Sequence, residues 1–549
     1  MAWHNTFANS LNLAAGNNVV APTPYDASRL LMQASFGPTM PAIDTVRSMG
    51  IEGWLDDQIN NQPATTFQPY YDEIESDFFG PRTDLSYSYN EMSDFLNGDN
   101  INTPFARAAI SNPDQLRQRV AFALSQLTVI SRRDANLTNR PIALFSFYDL
   151  LLEHAFGNFE DFMLAVTLHP AMGTYLSHVG NQPPDPSINR YPDENYAREV
   201  MQLFMIGLWE LNNDGSRKKA INGDDIPTYS NTEITELARV LTGLWYGGNP
   251  WASGGWQDID FAVPMEMHAD YHDFNEKTLL NGFTIPKRFP SQANGLLDIQ
   301  DAIRHLFEHG NCPPFVSKSL IQFLVTSNPT PAYVERIANV FINDGTGTRG
   351  NLAAVVKAIL MDPEARDPAI ANSENFGLLR EPVIRTMHLA RLSRLNQNND
   401  LVWWGYDAYY NNAFQQPLFS PSVFNFFGPD YSPPGTLTEA GLAGPAFEIT
   451  NSFTAVSFPN QLWSYADEGI SLWDVYSDPA DYSALLPYAN DHDTLLDYVN
   501  LLACAGHMSA ETRATIKSSL DATDANDQPG KVKLALYLAL MSPNGAIQR

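Results

Sequence analysis

Apolar residues spaced three and four apart recur from one end of this chain to the other, while strand-like alternation is rare, and no other feature narrows the fold as much. In "SNPDQLRQRVAFALSQLTVIS" the residues Leu116, Val120, Ala123, Leu124 and Leu127 line one helical face. In "YSNTEITELARVLTGLWY" Ser230 and Glu233 stand in capping-box spacing ahead of Ile234, Leu237, Leu241 and Leu244. The segments "PPFVSKSLIQFLVTS", "PAYVERIANVFIND", "GNLAAVVKAILMDP", "LLREPVIRTMHLARLSRL", "HDTLLDYVNLLACAGHMS", "AETRATIKSSL" and "KVKLALYLALMS" continue the pattern, divided by proline and glycine. The expected fold class is mainly α, a large multi-helix core with long irregular aromatic-rich loops. Those loops cover 62–104, 179–193, 212–231, 247–295 and 404–450, and their aromatic content argues that they pack on the helices. Proline and glycine concentrate at 428–445, the expected connection between a helical core domain over 20–427 and a helical C-terminal part, 446–549, packed on it.

Charge narrows the partners. Lys and Arg number 33 against 62 Asp and Glu, so the chain carries −29 and repels nucleic acid and anionic membranes. No stretch approaches the roughly 18 apolar residues of a membrane span. Two cysteines, Cys312 and Cys504, form neither a disulfide framework nor a metal-ligand spacing. The amino terminus lacks a basic region followed by an apolar run, so no signal peptide is visible. A phosphate-cradling Walker loop, a G-x-S-x-G elbow and a dinucleotide fingerprint are all missing, which argues against nucleotide-dependent enzymes and standard serine hydrolases.

Two segments carry candidate chemistry. In "YPDENYAREVMQLFMIGLWEL", Pro192 and Asp193 read as a helix start, and Tyr196, Val200, Leu203, Phe204, Gly207 and Leu208 share a broad apolar face. Asn195, Arg198, Glu199 and Gln202 fall in one narrow stripe, with Glu194 at its head. The stripe is either a wet edge or the wall of a polar cavity in which Glu194, Arg198 and Glu199 act. In "MEMHADYHDFNEKT", if residues 265–275 are helical, His268 and His272 lie one turn apart and can share a divalent metal ion, with Asp273 or a distant carboxylate completing the sphere. Ala269 stands where a zincin motif needs glutamate, and the alternative is a solvated loop with ordinary histidines. His169 and His178, and His305 with His309 before Gly310, read as structural residues at helix ends. Aromatic clusters at Trp245, Tyr246, Trp251 and Trp256, and at Trp403, Trp404, Tyr406, Tyr409 and Tyr410, either staple loops to the core or stack on sugar rings.

The segments "ASRLLMQASFGPT", "RVAFALSQLTVIS", "HAFGNFEDFMLAVTLHPAMGTYL", "PDENYAREVMQLFMIGLWELN", "ITELARVLTGLWY", "HDFNEKT" and "LMSPNGAIQR" together resemble the bacterial family catalogued as domain of unknown function 1800, over nearly the whole chain. The resemblance implies an exported, largely helical protein, extracellular or periplasmic, often encoded beside a sulfatase-like partner protein. It also implies that the stripe of the 194–208 helix and the His272–Asp273 segment mark the family. Two functions stand open. One is an enzyme acting on an extracellular polymer or its substituents, with Glu194 or Glu199 and Asp273 as acid/base or metal-binding carboxylates, Arg198 and Lys277 as anion-binding groups, and His272 as base or ligand. The other is a non-catalytic surface or assembly protein that binds an extracellular polysaccharide or a protein partner. In either case the "ENYARE" helix and the "HDFNEKT" loop are expected to meet across one polar pocket, with Lys277, His272 or Arg239 answering Glu199.

Overall fold

A computed structural model of the chain describes residues 21–69, 102–138, 140–248, 259–394, 418–472, 476–478 and 480–549. The clusters at Trp251 and Trp256 and at 403–410, and most of the 62–104 loop, lie outside the described residues. Of the described residues 57% are helical, well above the third or so usual in globular proteins, and the sheets among them are small two-stranded ladders. Local sequence sets the helix starts. Thr23 with Asp26, and Ser230 with Glu233, close full capping boxes, and proline occupies the first turn of the Pro24–Ala34, Cys312–Leu324, Pro331–Ile342 and Pro382–Leu392 helices. The helices read from periodicity are present, among them Gln115–Leu127, Asn231–Val240, Leu352–Met361, His492–Cys504 and Gln528–Met541.

Their apolar faces merge into one core cluster that runs from Ala27 to Leu540. The helices at Pro382–Leu392 and Thr454–Glu468 pack on each other within it, as do Pro24–Ala34 and His492–Cys504. Burial this extensive is the main stabilising term, at about 25 cal/mol per Å² of apolar surface removed from water. Among the described residues no helix is long and apolar enough to cross a membrane.

Three local departures from the sequence reading matter for the site. The segment 265–275 is not a helix: Glu266–Met267 pairs as a strand with Leu244–Trp245, and only Ala269–Tyr271 forms a single 3-10 turn. His268 and His272 have extended backbones on either side of that turn. The strand pairing wins because Gly243, at φ +84°, lets the chain turn back so that the His268 N–H donates to the Gly243 carbonyl at 2.7 Å.

The "ENYARE" helix is α only over Asn195–Glu199 and continues as a π-helix over Val200–Met205. The wider turn rotates the residues after it, so Leu208 ends up 47% exposed rather than on the apolar face. The helix stops at Gly207, whose N–H reaches back to the Met201 carbonyl at 2.9 Å with φ at +74°.

The third departure is the stretch 208–228, which folds as a small β-ribbon rather than an irregular loop. Isolated bridges join Trp209 to Pro227, Leu211 to Arg217 and Lys219 to Asp225, and Gly215 and Gly223 take positive φ at its two turns.

Candidate functional site

The ribbon separates two cavities at the end of the "ENYARE" helix. Side chains alternate along it, as they must in extended chain. Trp209, Leu211 and Arg217 line a cleft of about 370 Å³, whereas their neighbours Glu210 and Lys218 line a second pocket of about 660 Å³. The cleft is walled by Leu203, Phe315, Phe323 and Phe424 and carries four amide side chains, Gln126, Gln202, Gln322 and Asn425. Arg217 lies over the Trp209 ring at 5.6 Å, and Lys318 stands 3.5 Å from Asp430 at the rim. Phe424, at the mouth of the cleft, is 61% exposed.

Gln202 ties the cleft to the charged stripe. Tyr229 donates its hydroxyl proton to Gln202 Oε1 at 3.4 Å, and Tyr229 also feels the charges of Glu199 and Arg198. Glu199 is buried, and its Oε2 has no hydrogen-bond partner among the described residues. Desolvation raises its pKa, and only Arg198 opposes the shift. Burial pushes Tyr175 and Tyr229 each up to about 12, helped by Asp134 and then Glu199 at Tyr175 and by Glu199 at Tyr229. Glu194 and Arg198 are half-exposed and lie 3.6 Å apart one turn from each other, and Thr235 donates to Glu194 Oε1 at 2.7 Å. The stripe is thus neither a simple wet edge nor a fully paired network.

The other sequence-read segment builds a separate, enclosed lattice. Lys277 Nζ donates to Asp298 Oδ2 at 2.6 Å, and Arg288 holds Asp298 Oδ1 at 2.5 Å while its other arm binds Asp301. His272 Nδ1 donates to the Thr242 carbonyl at 2.7 Å, and its Nε2 faces Asp298 Oδ2 at 3.1 Å. Desolvation works to raise the Asp298 carboxyl, but the bonds from His272 and Lys277 outweigh it and hold its pKa below the ordinary range. Burial lowers the Lys277 pKa, against the pull of Asp298. Asp273 accepts from Arg239 Nε at 2.8 Å and from Asn275, and Arg239 also grips Glu236. Arg239 and the hydrogen bonds from Asn275 overcome desolvation and keep the Asp273 pKa low.

His268, His272 and Asp273 do not converge. Both His272 nitrogens are engaged, the Asp273 carboxylate is taken by Arg239 and Asn275, and the His268 ring makes no hydrogen bond or ion pair with described residues. No group of three or more His, Cys, Asp or Glu able to hold a metal ion occurs among the described residues. The expected meeting of Glu199 with Lys277, His272 or Arg239 is also absent, because each of these is spent on Asp298, Asp273 or Glu236. The Asn231–Val240 helix stands between the two sets, giving Thr235 to Glu194 on one side and Arg239 to Asp273 on the other.

Sequence reasoning missed Asp298, Arg288 and the ribbon. Asp298 falls on the buried face of the Gln292–Glu308 helix with Gly295, Ile299, Ala302 and Ile303, and a carboxylate among those spacings was a readable signal. His305 and His309, read as structural, do make structural bonds, yet both line the larger pocket. His305 Nε2 donates to the Leu280 carbonyl at 2.9 Å and the ring stacks on Phe283, while His309 Nδ1 accepts the Asn311 N–H at 3.1 Å with its Nε2 3.7 Å from Glu210. Burial lowers both pKa values. His169 caps the Pro170–Tyr175 helix, and His178 stacks on Tyr196 at 4.1 Å. Tyr246 bonds Thr174 at 2.9 Å and packs with Phe261, so it staples its loop to the core.

Against known proteins, the model of a family described as "Protein of unknown function (DUF1800)" matches residues 29–546. No curated protein and no solved structure matches the chain.

Proposed function

The chain belongs to the DUF1800 family, and from that premise we propose that it is an exported protein that binds an extracellular polysaccharide in the cleft beside the ribbon. The observation that carries this reading is the composition of the cleft wall. Trp209, Phe315 and Phe424 offer flat apolar faces for the C–H side of a sugar ring, and Gln202 offers an amide for its hydroxyls. Apolar rings with a few fixed polar groups are what a neutral, many-hydroxyl ligand needs, since each unmatched hydroxyl costs a lost hydrogen bond. In this reading Arg198 and Glu194 extend the binding surface, while the Lys277–Asp298–His272 and Arg239–Asp273 lattices hold the Asn231–Val240 helix and its neighbours in place.

The test is titration of the purified protein with a panel of soluble polysaccharides, repeated with Trp209→Ala and Gln202→Ala. At least one polymer should bind, and both variants should weaken it about tenfold or more while keeping the wild-type circular dichroism. Wild-type binding by Trp209→Ala, or no binding to any member of the panel, removes the reading.

A second reading rests on Glu199. A buried carboxyl with a raised pKa and a free oxygen, three residues from a cleft-lining glutamine, is suited to hand a proton to a glycosidic oxygen. Release of reducing ends from a bound polymer, abolished in Glu199→Gln with binding retained, distinguishes this enzyme from a binding protein.

A further inference from the structure

On the far face of the ribbon from the cleft lies the larger pocket, of about 660 Å³, in which the proposed polysaccharide has no part. Its size is that of a small-molecule site. Asn311, fully buried, ties the ribbon to the start of the Cys312–Leu324 helix. Its Nδ2 donates to the carbonyls of Ile206 and Trp209 at 2.9 and 2.8 Å, and its Oδ1 accepts the Leu211 N–H at 2.8 Å. Nδ2 also reaches Thr228 Oγ1 at 3.4 Å, where the ribbon returns. The backbone N–H of the same residue donates to His309 Nδ1 at 3.1 Å. One residue therefore fixes both the ribbon wall of the pocket and the histidine that faces it.

A ring nitrogen that accepts an N–H bond carries no proton, so the neutral ring of His309 holds its proton on Nε2. Burial lowers the His309 pKa against the pull of Glu210, which favours the neutral ring at neutral pH. His309 is 8% exposed and lines the pocket, and its Nε2–H makes no hydrogen bond among the described residues. Glu210 Oε1 stands 3.7 Å from it, too far to accept, while Lys218 occupies the other Glu210 oxygen at 3.1 Å. An oxygen about 2.8 Å from each atom fits between Nε2 and Oε1, and it must accept from the histidine and donate to the carboxylate. A hydroxyl does both. A ligand carboxylate has nothing to donate, an ammonium has nothing to accept with, and a protonated Nε2 has no lone pair to give a metal ion. Lys218 and Glu210 also cancel each other, so an ion of either sign meets repulsion with attraction.

We propose that this pocket binds a small neutral polyol of sugar-ring size, one hydroxyl of which bridges His309 Nε2 and Glu210 Oε1. A neighbouring hydroxyl accepts from Thr228, whose oxygen already takes the Asn311 amide and whose proton is uncommitted among the described residues. Ile226 and Pro227 give the C–H side of the ligand an apolar contact. A water molecule satisfies the bridge alone. A polyol satisfies the bridge, Thr228 and the apolar wall from one molecule, on groups that Asn311 has already fixed, so little ordering remains to be done on binding.

The experiment uses the full chain with isotope-labelled histidine. The ring resonances of His309 are assigned by their absence in His309→Asn, whose amide oxygen still takes the Asn311 N–H. Ring-nitrogen shifts should show a neutral ring protonated on Nε2 at neutral pH. Glucose, galactose, mannose and myo-inositol are then added in turn, with tetrahydropyran as a ring that has no hydroxyls. At least one polyol should move the His309 resonance saturably in the millimolar range, and tetrahydropyran should not. Glu210→Ala should weaken that polyol about tenfold or more, whereas a sugar bound only in the cleft would be indifferent to it. The site is overturned by a proton on Nδ1, or by no response to any of the four polyols, in which case water alone makes the bridge. It is equally overturned by an equal response to tetrahydropyran, or by a folded Glu210→Ala that keeps wild-type affinity. Should Glu210→Ala not fold, the proton position and the tetrahydropyran comparison decide.

Discussion

Asp298 Oδ2 sits 2.6 Å from Lys277 Nζ, and both side chains are fully shut off from solvent. The pair is not symmetrical. Asp298 also serves Arg288 and His272, whereas Lys277 has Asp298 alone as a side-chain acceptor among the described residues. Removing the acid strands several positive groups at once, and removing the amine leaves the acid still bound. Asp298→Asn should therefore cost about 3–5 kcal/mol of stability and Lys277→Met only about 1–2 kcal/mol. Urea denaturation of the two variants checks the order, and equal losses would contradict it.

Gly243 holds the segment that carries His272. Its φ is +84°, and a Cβ there would lie 2.9 Å from the His268 carbonyl oxygen and from His272 Cβ. Neither backbone nor ring can retreat cheaply, because the carbonyl belongs to the tight turn and His272 is locked between Thr242 and Asp298. Gly243→Ala should destabilise by about 2 kcal/mol or more. Loss of amide protection across 266–273 in hydrogen exchange would locate the damage.

These two residues also show what could be read from sequence and what could not. Helix periodicity is local, so the capping box at Ser230 and Glu233 and the helices around it were legible from spacing alone. The partners of His272 were not. Asp298 lies 26 residues away and meets the ring only through tertiary packing, and the strand pairing of Met267 with Leu244 displaced the helix that a metal pair needed. Within the candidate site, Glu199 and Gln202 were visible as a stripe. The cleft they approach needs Trp209 and Arg217 from the ribbon and Phe424 from a loop two hundred residues on, and no single-segment pattern brings these together. The π-turn was hidden for the same reason, since it answers to packing rather than to propensity.

The alternation of the ribbon gives a sharp contrast between neighbours. Arg217 faces the aromatic cleft and Lys218 the opposite pocket, where it binds Glu210 at 3.1 Å. Both are half-exposed, so either can be removed with little loss of stability. Arg217→Ala should weaken polysaccharide binding about threefold to tenfold, since it strips the cation from the Trp209 face. Lys218→Ala should leave binding unchanged. Affinity measured on the same polymer for both variants tests the sidedness, and an equal loss would mean that the ligand does not lie in the cleft.

Asp298 and Glu199 should leave opposite marks on stability against pH. The pKa of Asp298 is depressed by folding, so its contribution is fully present above about pH 4 and is lost as pH falls through the lower folded value. The pKa of Glu199 is raised by burial, so the folded state holds its proton more tightly than the unfolded chain does. Stability from this group is greatest below about pH 4 and falls as pH rises from there through the raised folded value. Above that window the wild type carries a buried carboxylate whose Oε2 is unbonded, a cost that an amide of the same shape largely avoids. Glu199→Gln should then stabilise the ligand-free protein by about 1 kcal/mol at pH 7 and by nothing at pH 4, while Asp298→Asn destabilises most at neutral pH and progressively less in acid. Denaturant titrations of the wild type and both variants from pH 3 to 8 separate the two curves. A Glu199→Gln protein that is less stable than wild type at pH 7 would show that the carboxylate has a bonding partner after all, and the catalytic reading, which needs that oxygen free, would go with it.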